Sequence, residues 1–377
     1  MKITRIETIP VRVPIKPQLA IKSGRGGSHV TSPFLIVKVH TDEGLIGLGE
    51  ASCTPRWSGE DQFTARHVIR TYFEPALVGM DPTKIQQCVG AYASLVRGNP
   101  FTKSAIEMAL WDIAGKTAGK PVYALLSGNG EKVRAFVPTK WSVSGREPAV
   151  AAEIAQWAIA QGFKKMKVKV GTDPDADVAR VKAVRVAVGP QAHLGVDANG
   201  GWPTAEIAAA TIDRLREFNV YFIEQPVPEH DLFGMADVRK HAAPIPIVAD
   251  ESVYTVHDAQ TLHRAAAADV FSIYVGKAGG IGQAQQIAAF AHQHRLSATI
   301  GSNLELGIGS AAMTHLGLAS PGITADTYPC DIIGPFFYED DILTEPQPIK
   351  PGEARVHERP GLGVELDEEK IEKYRVG

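Results

Sequence analysis

Six apolar, strand-like runs in the middle of this chain each close on one charged residue: Lys169, Asp197, Glu224, Asp250, Lys277 and Glu305. The steps between these charges are 28, 27, 26, 27 and 28 residues. A period of that size is one strand, one helix and their two turns, repeated, and it constrains the fold before any motif is considered.

Around these charges the pattern alternates between strand and helix. A first strand is expected near 133–143, then an alanine-rich helix over 148–161 and a second strand over 165–170. Asp173-Pro174-Asp175 is a helix-start signal for 175–188. The third strand ends at Asp197, and Thr204 is placed to cap a helix over 205–218. Strands four to seven end at Glu224, at Asp250, near Lys277 and near Ser302, and a short eighth fits 323–328. Eight such units in one stretch point to an α/β fold of the (β/α)8 TIM-barrel type. A doubly wound open sheet is the weaker alternative, because no GxGxxG follows an early strand.

Side chains alternate along a strand, so Lys167 and Lys169 share one face while Met166, Val168 and Val170 share the other. The apolar face must meet the helices, which turns the charges inward. They stand at the C-terminal ends of the strands, where barrels carry their chemistry. Asp197, Glu224 and Asp250 then form three adjacent carboxylates flanked by lysines. Converging carboxylates without histidine or cysteine make a hard oxygen site suited to Mg2+, with Mn2+ as a substitute; Zn2+ prefers nitrogen or sulfur. Lys167, two residues from Lys169 on one face, supplies a charge that would lower the pKa of Lys169. Gly279-Gly280 after Lys277 allows a close turn into the next helix and an anion pocket there. Together these groups suit removal of a proton next to a substrate carboxylate, with the metal holding the developing enediolate.

Residues 1–130 do not follow the period. Runs at 1–13, 34–39 and 45–49 read as strands, with Thr41-Asp42-Glu43-Gly44 as a hairpin turn. The glycine-rich stretch 23–28 reads as a mobile loop. Helices are expected near 61–79, 82–97 and 102–118, which makes an N-terminal α+β domain. The expected division is a capping domain at 1–130, completed by about 340–377, and a barrel at 131–340. Among 377 residues, 44% are hydrophobic and 21% charged, so the chain is expected to be globular. The net charge of −3 gives no reason to expect nucleic acid or an anionic membrane as partner. Three scattered cysteines make no disulfide framework or CxxC site, and the start carries no apolar signal core, so a soluble, cytoplasmic protein is expected.

With these residues in place, the chain resembles the enolase superfamily, in particular the muconate lactonizing enzyme subgroup, over essentially its whole length. The resemblance implies a capping domain over a barrel. It matches Lys167-Val168-Lys169 to the family's KxK motif, with Lys169 an acid/base and Lys167 its pKa-lowering neighbour. It matches Asp197, Glu224 and Asp250 to three metal ligands and Lys277 to the acid/base of the opposite face. It also implies roles near the substrate for Asn199 and Glu305. No histidine stands near residue 302 as in the mandelate racemase subgroup, and His315 falls in a helical stretch where packing explains it. The dipeptide epimerases' Asp-x-Asp on strand eight is replaced by Asp326-Thr327-Tyr328-Pro329-Cys330-Asp331, where either aspartate is a candidate for a cationic substrate group.

The resemblance places specificity in the capping loops. Arg25 and Arg56 are candidates for a distal carboxylate, and Trp57 and Trp141 for stacking on a ring or cation. The implied activity is that of an isomerase on a small carboxylate, either a muconate-type cycloisomerase or a racemase/epimerase. A hydroxy-acid dehydratase and a ligand-binding barrel without turnover are the alternatives. A homo-oligomer, from dimer to octamer, is implied by the resemblance alone.

Overall fold

The computed structural model describes residues 1–22 and 30–377. The glycine-rich stretch 23–28 and Arg25 lie outside the described residues.

The N-terminal strands β1 (Ile3–Pro14), β2 (Thr31–Thr41) and β3 (Ile46–Ser52) form an antiparallel sheet in that order. The β2–β3 hairpin turns at 42–44, with Gly44 at φ 80°. The helix Pro100–Ala118 lies directly on β3. A Cβ at Gly47 or Gly49 would run into the carbonyls of Ala109 or Ala105, so the two backbones meet without side chains between them. Phe101, Ala105, Ile106, Ala109, Leu110 and Ile113 of this helix are buried against the sheet. The expected 61–79 helix runs as Gln62–Val68, a π turn over Ile69–Phe73, and Glu74–Leu77.

Seven parallel strands follow: β4 (Trp141–Val143), β5 (Lys165–Lys169), β6 (His193–Asp197), β7 (Ile223–Glu224), β8 (Ile247–Ala249), β9 (Val270–Ile273) and β10 (Ser297–Ile300). Consecutive strands are neighbours throughout, as a barrel demands. Helices lie between the strands, with Asp173 and Thr204 capping two of them as expected. The eighth strand position differs from the expectation. Residues 323–328 form turns, with the Thr327 and Tyr328 amides bonded to the Thr324 carbonyl. The barrel closes one step later: Cys330 bonds Pro138 and Lys140 on one side, and the Asp331 amide bonds Ile300 O at 2.7 Å on the other. The buried Ile323 and Ala325 alternate as in an inward-facing strand, but they lie in turns and join none of the sheets. The expected first strand also divides. Val137–Pro138 pairs with Glu353–Ala354, and only Trp141–Val143 joins the barrel sheet.

The C-terminal segment touches both parts. Its helix Glu368–Tyr374 buries Ile371 and Tyr374 beside β1, and Val376 N bonds Pro10 O at 2.9 Å. Among the described residues no helix is long and apolar enough to cross a membrane. Cys53, Cys88 and Cys330 are all buried thiols.

Candidate active site at the barrel mouth

The register of the barrel strands assembles the site. Lys169 pairs with Asp197 and Asp197 with Glu224, while Glu224 pairs with Val248, which sets Asp250 two residues higher on the same face. Asp197, Glu224 and Asp250 are each at most 1% exposed. Buried carboxylates of one sign cannot stand together without cations or hydrogen bonds. Here lysines supply them. The Lys167 ammonium donates to Glu224 Oε1 at 2.7 Å and Asp331 Oδ2 at 3.0 Å and lies 3.1 Å from Asp197 Oδ2. Lys169 donates to Asp197 Oδ2 at 2.6 Å and Asn199 Oδ1 at 3.0 Å. Lys277 donates to Asp250 Oδ1 at 2.5 Å.

The electrostatics follow from this packing. Burial would raise the Asp197 carboxyl, but Lys169 and Lys167 hold it well below the usual carboxylate range. Burial, and then the neighbouring Asp197, push Glu224 well above that range. For Lys167, burial works to lower the ammonium's pKa, and Asp331, Glu224 and Asp197 outweigh it, so its pKa lies well above the usual value. Glu251, next to Asp250, is raised to about 7 by burial and by Asp250 and Asp197.

The three carboxylates suit a divalent cation by their chemistry. They are hard oxygen donors, buried and adjacent, and Glu224 is raised partly by repulsion from Asp197 and Asp250, which one shared cation would relieve. Among the described residues no three such side chains close on a single point, since each carboxylate is turned toward a lysine.

The remaining expected residues divide. Asn199, 4% exposed with φ 47°, joins Lys169 to Glu251 through its Nδ2 at 2.9 Å. Glu305 is buried in the loop after β10, where it accepts from the Ser302 hydroxyl at 2.5 Å and from the Asn303 amide at 3.1 Å. Trp57 reaches the site from the capping side: its Nε1 donates to Glu251 Oε1 at 3.2 Å, and its ring stacks on Tyr274 at 5.1 Å. Trp141 does not face the site. It is fully buried, stacked on Phe337 at 4.7 Å and packed against Trp157 and Phe163 on the helix side of β4. Its place in the alternation, rather than its position near a strand end, decides this. Arg56 is exposed on the short helix Pro55–Ser58. His315 is a packing residue, with Nδ1 accepting from Tyr123 N and Nε2 donating to Leu362 O; burial holds its pKa down near 4.

Lys277 needs a correction. Strand β9 ends at Ile273, and Lys277 lies a turn further on, in the short helix Val275–Ala278. Of the two late aspartates, Asp326 is exposed at the opposite end of the barrel, where Lys165 Nζ reaches its carbonyl. Asp331 is in the site, between Lys167 and Lys140, the latter 3.2 Å away. Its Oδ1 is buried without a hydrogen-bond partner. Lys140, Glu251 and Tyr274 were not singled out from the sequence. Glu251 carried a signal in standing beside Asp250; Lys140 and Tyr274 carried none.

The N-terminal residues 4–127 match the model for the mandelate racemase / muconate lactonizing enzyme N-terminal domain, and residues 149–370 match the model for the enolase C-terminal domain-like family. The chain belongs to the mandelate racemase/muconate lactonizing enzyme family of the enolase superfamily. It is 32% identical over 378 residues to an N-succinyl-L-Arg/Lys racemase of Bacillus cereus, covering 100% of this chain and 98% of the relative. It is 31% identical to muconate cycloisomerase 1 of Rhodococcus opacus, covering 99% and 98%. Its fold matches a Cytophaga hutchinsonii dipeptide epimerase complexed with Mg and the dipeptide D-Ala-L-Val, with TM-score 0.92 at 32% identity, covering 99% of this chain and 98% of that one. These relatives are a racemase, a cycloisomerase and an epimerase, and this family member is an isomerase of that range.

Proposed function

We propose that this isomerase removes and returns a proton on the carbon next to the carboxylate of a small substrate, with Lys169 as the group that carries it. One observation supports Lys169 above the others. Its side chain is 13% exposed, against 3% for Lys167 and 1% for Lys277, so it is the site ammonium that a substrate can reach. Asp197, Glu224 and Asp250 would hold Mg2+, or Mn2+ in its place. Mg2+ bound there supplies positive charge to the substrate carboxylate and to the enediolate that proton removal creates. Lys167 stays charged beside Lys169, and in its neutral form Lys169 accepts the α-proton on Nζ. Asn199 Oδ1, together with Asp197, accepts from the protonated form and holds it in place. Asp331, with a buried and unpartnered carboxylate oxygen, is the group we assign to a polar or cationic part of the substrate. We also take 1–130, with the 340–377 segment, as the capping unit, supported by the helix Glu368–Tyr374 lying on β1.

The test is solvent exchange. The Mg2+-loaded protein is incubated in D2O with both enantiomers of N-succinyl-arginine and N-succinyl-lysine, with L-Ala-L-Glu and L-Ala-D-Glu, and with muconate and its lactone. Mass spectrometry should find deuterium at the α-carbon of at least one member, lost by about a thousandfold in Lys169→Ala. Undiminished exchange in that variant sinks the assignment of Lys169.

A further inference from the structure

Lys140 is buried at the foot of the site. It directly precedes β4, and alternation from the outward Trp141 turns its side chain into the barrel. Ser142 pairs with Lys167, so Lys140 lies one inward level below that lysine. It is 2% exposed, which keeps substrate from touching it. Its Nζ donates to Pro329 O at 2.6 Å, lies 3.2 Å from Asp331 Oδ2 and stands 5.8 Å from the centroid of the Phe222 ring. Its amide donates to Cys330 O at 2.9 Å. Backbone and side chain of Lys140 thus hold the same three residues, 329–331.

A buried ammonium is stable only where a partner of opposite charge matches it. For Lys140 that partner is Asp331, itself 4% exposed. Burial would raise the Asp331 carboxyl, but Lys140 and then Lys167 hold it below the usual carboxylate range, so it is ionised. Lys167 reaches the same Oδ2 at 3.0 Å. One negative charge therefore faces two ammoniums before any substrate enters. What Asp331 still offers is an oxygen, Oδ1, that is buried without a hydrogen-bond partner. A buried acceptor calls for a donor. A substrate ammonium brought to it would meet Lys140 and Lys167 as like charges. A neutral N–H or O–H satisfies the oxygen and adds no charge.

We infer that Lys140 is a specificity-determining residue that acts through Asp331. It reserves the Asp331 end of the site for an uncharged donor, such as the amide N–H of an N-acylated amino acid, and excludes the free ammonium of a dipeptide. This rests on the proposed function for its reaction and on the ion pair for its specificity, and the two are tested separately. First, the full-length protein, Lys140→Met, Asp331→Asn and the double variant are titrated with denaturant. The double variant leaves no buried charge of the pair unmatched. Lys140→Met should lower the folding equilibrium constant at least about tenfold in the wild-type background and less than about threefold in the Asp331→Asn background. Equal losses in the two backgrounds overturn the pairing. Second, the Mg2+-loaded protein is incubated in D2O with matched pairs: N-acetyl-L-Ala-L-Glu against L-Ala-L-Glu, and N-succinyl-L-arginine against glycyl-L-arginine. The acylated member should exchange its α-proton at least about tenfold faster, and Lys140→Met should bring the two within about threefold. A merely structural loss slows both members alike and leaves their ratio unchanged. A wild-type protein that exchanges the free-amino member as fast as the acylated one, or a Lys140→Met protein with the wild-type ratio, overturns the specificity. If no member of either pair exchanges, the proposed function fails for those substrates and the specificity with it, while the denaturant cycle still decides the pairing.

Discussion

Two sets of buried carboxylates hold this molecule together, and they are neutralised by different means. At the barrel mouth, Asp197, Glu224, Asp250 and Asp331 are matched by the lysine ammoniums of 140, 167, 169 and 277. Where the N-terminal unit meets the barrel, Glu50 and Glu107 have no lysine partner and are held by backbone amides. Glu50 accepts from Leu306 N at 2.8 Å and Gly309 N at 2.9 Å, and Glu107 from Ile281 N at 2.7 Å and Gly282 N at 2.9 Å. Each thus sits at the start of a barrel helix, Gly307–Ala319 or Ile281–Gln293, where the helix dipole favours a negative charge. A lysine can let go of a carboxylate when substrate or cation arrives; a helix start cannot. The mouth is built for exchange of partners and the joint for permanence. The Leu306 contact also ties the joint to the site, since Leu306 follows Glu305 directly.

Breaking one member of each set should expose the difference. Asp331→Ala removes the carboxylate that stands between two buried ammoniums and should cost about 3–5 kcal/mol in a denaturant titration. Asp331→Asn, which keeps the shape and an acceptor oxygen but not the charge, should cost less; equal losses would mean that the charge alone is what the mouth needs. Glu107→Ala leaves two buried amides and the Trp111 indole N–H without their acceptor and should cost about 2–3 kcal/mol by the same measurement.

pH separates the two sets without mutation. Burial is the largest cause in both joint residues, and it raises Glu50 to about 8 and Glu107 to about 7 from 4.5. The folded chain therefore binds more protons than the unfolded chain between 4.5 and those values. Their contribution is fully present below 4.5 and is lost as pH rises through 7 to 8, at up to about 1.4 kcal/mol per pH unit for each group. Melting followed from pH 5.5 to 8.5 should show this decline, and Glu107→Gln should flatten part of it. An unchanged slope in that variant would remove Glu107 from the account. The smallest expected effect is Trp57→Phe. It keeps a ring on Tyr274 but loses the 3.2 Å bond to Glu251, worth about 1 kcal/mol or less in stability. Deuterium exchange should move more than the melting point if Trp57 sets the site rather than merely packing.

Much of this was legible beforehand, because it depended on period and alternation. The regular spacing of Lys169, Asp197, Glu224 and Asp250 places them on successive parallel strands, and the two-residue repeat turns them to one face. The same arithmetic failed where the chain leaves the strand. Lys277 continues the period but sits a helical turn past the end of β9, and Tyr274 takes the inward place at the mouth. The apolar residues around Ile323 read as an eighth strand, whereas the hydrogen bonds that close the barrel belong to Cys330 and Asp331. Trp141 was near the right strand end but on its outward face.

By itself, then, the sequence determined the barrel, its capping unit and the carboxylates at its mouth, since these follow from patterns local to each strand–helix unit. Only the tertiary structure decided which lysine is open and which is enclosed, and that Asp331 enters the site while Asp326 does not. It alone showed Glu50 and Glu107 joining the two parts of the chain. Those outcomes depend on atoms far apart in sequence competing for the same few donors and acceptors. A backbone carbonyl at 329 or an amide at 309 carries no mark in the residue that bears it.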